Sequence, residues 1–206
     1  INVFVALGSA AGQQSYHFMV HLLPREPEDK FFNFLMKKGA KTSSEERKAI
    51  SDLVCKVMQT FPKEFSNQDG SMVVYEDEKV KCIIPDEGAA KGQIIIHSKT
   101  EEKHLEKLSP EDSAHLFEVA STVSRVVFEA LRAQGTNILL MSGESDDNPA
   151  GRLALHVFPR WQNDALQGLV WEPKRSSYNL DDVASRIKDQ AWKVKLDGNI
   201  VFHVYD

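Results

Sequence analysis

The sequence predicts an α+β fold, antiparallel sheet with helices packed on one side. Three features carry that reading: short alternating apolar runs separated by glycine turns, two capped amphipathic helical patterns between them, and a segment that recurs along the chain. "INVFVAL" (1–7) and "SYHFMVHLL" (15–23) read as strands joined by a turn bearing Gly8 and Gly12. In an extended chain, His17, Met19 and His21 share one face. Ser43 with Glu46 has the spacing of a capping box, and Ala49, Ile50, Leu53, Val54 and Val57 follow at helical intervals. "DGSMVVYEDEKVKCIIP" (69–85) and "GQIIIHS" (92–98) supply further strands. The strongest helix opens at Ser109, Pro110 and Asp112, carries its apolar stripe from Leu116 to Leu131, and closes at Gly135. The strands "TNILLMSG" (136–143) and "RLALHVFPR" (152–160) come next. A last helix starts at Asn179 with Val183, Ala184 and Ile187 inward, ahead of a hairpin-like "WKVKLDGNIVFHVYD" (192–206).

Composition narrows the function classes. The 206 residues are 42% hydrophobic, enough for one good core or two modest ones. A net charge of −5 argues against a generalised nucleic-acid-binding surface and leaves room for a local anion pocket. Two cysteines, Cys55 and Cys82, in apolar surroundings suggest neither a disulfide framework nor a zinc cluster, which points to an intracellular, reducing, cytoplasmic setting. No apolar run approaches the ~20 residues a membrane span needs. His97, His104 and His115 lack the spacing of metal ligands, and no cofactor is implied.

Laid against itself, the chain aligns residues 1–25 with 136–160 without a gap. Asn2 matches Asn137, Gly8 matches Gly143, His21 matches His156 and Pro24-Arg25 matches Pro159-Arg160, each pair 135 apart (137 − 2). A weaker echo sets "DGSMVVYED" at Asp69 beside "DGNIVFHVYD" at Asp197. The boundaries that follow are half a unit at 1–62, a whole unit at 66–175, and a C-terminal helix and strand at 176–206.

"GQQSYHFMVHLLPR" (12–25) resembles the signature of the histidine triad (HIT) family, a glycine-glutamine turn followed by alternating histidines on a strand and often Pro-Arg. "VVYEDEKVKCIIPDEGAAKGQIIIHS" resembles the family's first half, with Lys91, Gly92 and Gln93 at its Pro-Gly-His-like turn. The resemblance implies a tandem of about one and a half HIT-like units. It further implies pairing as an internal pseudo-dimer or a homodimer, and a purine nucleotide or nucleotide-bearing partner.

In the family, the middle histidine of the triad attacks the α-phosphorus of a nucleotide. Carried across by position, the triad reads His17, Met19 and His21 in the first unit and Arg152, Ala154 and His156 in the second. A thioether has no basicity near neutral pH and a methyl group offers nothing, so neither forms a phosphoramidate. Gly12, Gln13 and Gln14 retain the phosphate-holding turn beside His17 and His21, although Ala6 stands where the family has asparagine. In the second unit the turn becomes Asp147-Asn148, and Arg152 keeps a charge-assisted contact to phosphate available. The first unit is therefore the better candidate pocket and the second mainly scaffold. Arg25 and Arg160 suit tying down a tail, and Trp161 and Trp171 suit packing.

Three readings follow: a degenerate nucleotide-binding protein without covalent catalysis, a nucleotide hydrolase or nucleotidyl transferase, and a structural scaffold. Residues 199–205 are read either as an added strand on the first unit's open edge or as a hairpin with "WKVK".

Overall fold

The computed structural model describes residues 1–25, 41–61, 63–64, 71–145, 148, 151–164, 166 and 179–191. Residues 1–169 form one compact unit and residues 170–206 a second.

In the first unit, eight strands make a single sheet: β1 (Asn2–Leu7), β2 (Val20–Leu23), β3 (Lys63–Glu64), β4 (Met72–Glu76), β5 (Val80–Ile84), β6 (Ile94–Ser98), β7 (Gly135–Met141) and β8 (Ala154–Arg160). They lie in the order β2-β1-β7-β8-β6-β5-β4-β3, with every neighbouring pair antiparallel. Helices α1 (Ser44–Met58) and α2 (Pro110–Leu131) supply the apolar layer on one face. Alternation fixes which residues meet them. Val80, Cys82, Ile94, Ile96, Leu155 and Val157 join Val54, Leu116 and Val123 in that core. The opposite face carries a smaller cluster of Phe4, Leu139, Met141 and Phe158, with Ala89 and Ala90 against it.

Both helix starts form as the sequence predicts. The Ser43 hydroxyl accepts from the Glu46 amide at 3.2 Å, and Ser109 accepts from Asp112 at 3.0 Å with Pro110 at the first turn. Their ends and faces differ from expectation. The α2 helix stops at Leu131 with Arg132 left-handed, and Gly135 opens β7, where an added Cβ would stand 2.6 Å from Leu7 O. The buried face of α1 is Arg47, Ile50, Ser51, Val54 and Cys55, whereas Ala49, Leu53 and Val57 face outward. The rotation follows from α1 packing on both α2 and β4.

The strand expected over 15–23 is shorter, because β2 covers only Val20–Leu23 and has β1 as its one neighbour in the sheet. Residues 16–19 precede the ladder, with no partner strand among the described residues to extend it. Phe18, Val20 and Leu22 are exposed, and Val5, Leu7, Phe18 and Val20 line one wall of an apolar cavity of about 540 Å³ closed by Phe117 and Phe128 of α2.

In the second unit, α3 (Leu180–Ala191) begins beside Asn179, whose Oδ1 accepts from the Asp181 amide at 2.9 Å. Val183 is half-buried, while Ala184 and Ile187 are exposed, contrary to the inward stripe expected, since no described element covers them. The segment 192–206, with its echo of 69–77 and its two docking alternatives, lies outside the described residues, as does Trp171. Among the described residues, no helix is long and apolar enough to cross a membrane.

Candidate functional site

The pairing of β1 with β7 sets the frame. Asn2 faces Met141, Phe4 faces Leu139 and Ala6 faces Asn137. Position 2 corresponds to 137 and position 6 to 141 in the sequence alignment, so this register maps onto itself about the Phe4 and Leu139 pair (139 − 4 = 135). One cross-strand row then runs His21, Phe4, Leu139, His156, Ile95 and Ile83 across five ladders. His21 and His156 are therefore symmetrically placed on the sheet face opposite the helices.

The two histidines sit in different surroundings. His156 is 5% exposed, in the middle of β8 between β7 and β6, and its ring stacks on Phe158 at 6.0 Å. Gln93 reads its tautomer. The amide oxygen of Gln93 accepts from Ala89 N at 2.8 Å, which turns its Nε2 toward His156 Nδ1 at 3.0 Å. Nε2 donates, Nδ1 accepts, and a neutral ring carries its proton on Nε2. Along the same face of β8, Ala154 is buried and Arg152, just before the strand, is exposed. His21 is half-buried, with its ring 6.2 Å from that of Phe4.

The glycine-glutamine turn of the first hairpin forms, with Gly12 left-handed at φ 81° after a short 3₁₀ turn. The Gln13 side chain closes it internally: Oε1 accepts from Gly8 N at 2.8 Å and Nε2 donates to His17 O at 3.3 Å. Asn148 does the corresponding work 135 residues later, donating to Gly143 O at 3.0 Å and Arg152 O at 2.8 Å. Asp147 lies outside the described residues. Gln14 and His17 are exposed, Met19 is 39% exposed, and His17 and Met19 precede β2, so the single strand face expected for His17, Met19 and His21 does not form.

Both arginines make internal contacts, and neither holds a C-terminal tail among the described residues. Arg160 is buried, grips Asp164 through Nε at 2.7 Å and Nη2 at 2.9 Å, and donates to Asn137 Oδ1 at 2.6 Å and Leu166 O at 2.9 Å. With the Asn2 amide oxygen turned toward it, Arg25 Nη1 donates to Asn2 at 2.7 Å, the same asparagine–arginine pair in the first hairpin. Trp161 donates its indole N–H to Arg132 O at 3.2 Å.

Two site-face residues escape sequence reasoning. Gln93 was visible only as part of a turn. His97, set aside for lacking the spacing of a metal ligand, is half-buried on β6, directly opposite Ala154 on one side and Lys81 on the other. Burial first, then Arg152 and Lys81, hold its imidazole below the ordinary histidine value. Only the strand register reveals this placement. His104 and His115 stay apart, 3.6 Å from Glu106 and 2.9 Å from Asp77.

Residues 66–163 match the model of the HIT domain. Among solved structures, a HIT family protein from Bacillus anthracis is 22% identical, with a TM-score of 0.48 over 68% of this chain and 95% of that one. A HIT family member from Bacillus subtilis is 19% identical, with a TM-score of 0.48 over 69% and 96%. A GalT-like protein from Arabidopsis thaliana is 13% identical, with a TM-score of 0.49 over 90% of this chain and 54% of that one. No curated protein matches the chain at the sequence level. The match to the HIT domain model over residues 66–163 supports a place in the histidine triad superfamily for that part of the chain.

Proposed function

We propose that this protein binds a purine nucleotide, or a molecule bearing one, and does not form a nucleotidyl-histidine intermediate. The observation that carries the reading is Ala154, a buried methyl on β8 between Arg152 and His156, at the position where the family resemblance places the nucleophile. Met19 is its counterpart in the first hairpin and is equally unable to attack phosphorus. The sequence favoured the first unit as the pocket and the second as scaffold; we place the site at the second hairpin instead, because it is the better organised of the two. His156 is held in one tautomer by Gln93, Arg152 brings a cation, and the strand beneath is paired on both sides.

Pairing of two HIT-like units within one chain belongs to the same proposal. It is supported by the self-mapping register of β1 and β7, by the two asparagine–arginine pairs and by the two amide staples at Gln13 and Asn148.

Incubation with nucleotide labelled at the α-phosphate, followed by denaturing quench at neutral pH and above, is expected to leave no label on the chain. Label recovered on any histidine overturns the non-covalent reading. Calorimetry with AMP is expected to give a weak but saturable isotherm. No heat at protein concentrations suited to millimolar constants overturns nucleotide binding.

A further inference from the structure

The register carries one row further than the histidines themselves. Glu76 of β4 faces Lys81 of β5, Lys81 faces His97 of β6, and His97 faces Ala154 of β8. Directly opposed residues share a face and hold their Cβ atoms about 5 Å apart. The face is the one that carries His156, because Ile94, Ile96, Leu155 and Val157 all turn to the helical core. An imidazole is thus present beside position 154 although none grows from it; it comes from the neighbouring strand. The geometry points to His97, with Lys81 and Arg152, as the group that holds the phosphate of the bound nucleotide over Ala154.

The chemistry suits an anion. Arg152 and Lys81 flank His97 closely enough to act on its protonation, and both carry donors only. Glu76 is the carboxylate at the end of the row, and it is engaged away from His97 by Lys99 at 2.8 Å and Lys81 at 3.5 Å. A phosphate placed there meets a guanidinium fork, an ammonium and an imidazole N–H, with the small Ala154 side chain leaving room beneath it. Burial first, then its neighbouring cations, disfavour the charged form of His97, and a bound dianion favours it. The first hairpin has no counterpart of this histidine among the described residues, since nothing there pairs with the outer edge of β2.

This inference rests on nucleotide binding by the second hairpin, and its test separates the two. The full chain is titrated calorimetrically with AMP and with adenosine, as wild type, His97→Ala, His97→Gln and Lys81→Ala. His97→Ala is expected to weaken AMP about tenfold or more and leave adenosine unchanged, His97→Gln to keep most of the AMP affinity through its amide donor, and Lys81→Ala to weaken AMP selectively. In wild-type protein with ¹⁵N-labelled histidine, AMP is expected to shift the His97 ring resonances and move that titration upward in pH. Among the described residues, Lys81, Glu76, Lys99, Arg152 and His156 are the charged or titratable groups on its face. Failure of wild-type protein to bind AMP overturns the functional reading and this inference with it. AMP binding that is unchanged in His97→Ala and His97→Gln, or a His97 titration indifferent to AMP, overturns this inference alone. If His97→Ala fails to fold, His97→Gln and the ring titration decide.

Discussion

The hairpins β1–β2 and β7–β8 start from sequences that align without a gap and end as different structures. In the second, β8 is seven residues long, paired on both sides and buried from Ala154 to Arg160. In the first, β2 is four residues long, paired on one side, and exposes Val20 and Leu22. The triad-like motif therefore does not make a site alone. It needs the strand that lies against its outer edge. Beside β8 that strand is β6, which brings Gln93 at its entry and His97 within it, so one neighbour supplies both the orienting amide of His156 and a second imidazole. Beside β2 no described strand does this, and His17 and Met19 never join the ladder.

The largest effect separating the two hairpins is expected at their shared arginine. Arg160→Ala removes a buried guanidinium and leaves Asp164 and Asn137 without it, which is expected to cost about 3–5 kcal/mol in urea unfolding. Arg25→Ala, at a half-buried position just past the edge strand, is expected to cost about 1 kcal/mol or less. Equal losses would break the comparison, because they would mean that β2 is held as firmly as β8. Hydrogen exchange gives a second, smaller measure. Amides of β2 are expected to exchange roughly a hundredfold faster than those of β8, since among the described residues one edge of β2 has no ladder and its opening costs less than opening the sheet's interior. Matching protection factors would show that β2 has a partner on its open edge.

Much of the fold was legible because it rests on local signals. Ser43 and Ser109 cap helices where their spacing predicts, Gly8 and Gly143, aligned in the sequence, both adopt positive φ, and the aligned residues Asn2 with Arg25 and Asn137 with Arg160 make matching pairs that the alignment alone did not announce. What failed was decided by neighbours distant in sequence. The outward turn of Leu53 and Val57 depends on α1 packing on both α2 and β4, and the short β2 has no second neighbour among the described strands. His97 shows the same limit in the site. Its sequence surroundings, "IIIHSKTEEKH", read as a strand running into a charged surface, and only the crossing order β5-β6-β8 sets it opposite Ala154. A motif read along one strand cannot name a residue contributed by the next.

The smallest expected effect lies in the β4–β5 turn, on the second hairpin's side of the sheet. Asp77 closes that turn. Its Oδ1 accepts from Lys79 N and Val80 N, each at 2.8 Å, and its Oδ2 accepts from Tyr75 OH at 2.7 Å and His115 Nε2 at 2.9 Å. Burial pushes the carboxyl upward, and these donors outweigh it, so its pKa falls to about 2, while the same bond lifts Tyr75 to about 12. A depressed carboxylate stabilises the fold above its unfolded value near 3.9, and that contribution is lost as pH falls from about 4 toward 2. Asp77→Asn keeps an acceptor oxygen for the two amides and removes the titration. Urea midpoints at pH 7, 4 and 2.5 are expected to fall less steeply below pH 4 in the variant, by about 1 kcal/mol after allowance for partial solvent screening. His21→Ala, in the hairpin that lacks this turn, is expected to leave the slope between pH 4 and 2.5 unchanged. A slope as steep in Asp77→Asn as in wild type would place the acid sensitivity elsewhere in the sheet, and a flattened slope in His21→Ala would place it in the first hairpin.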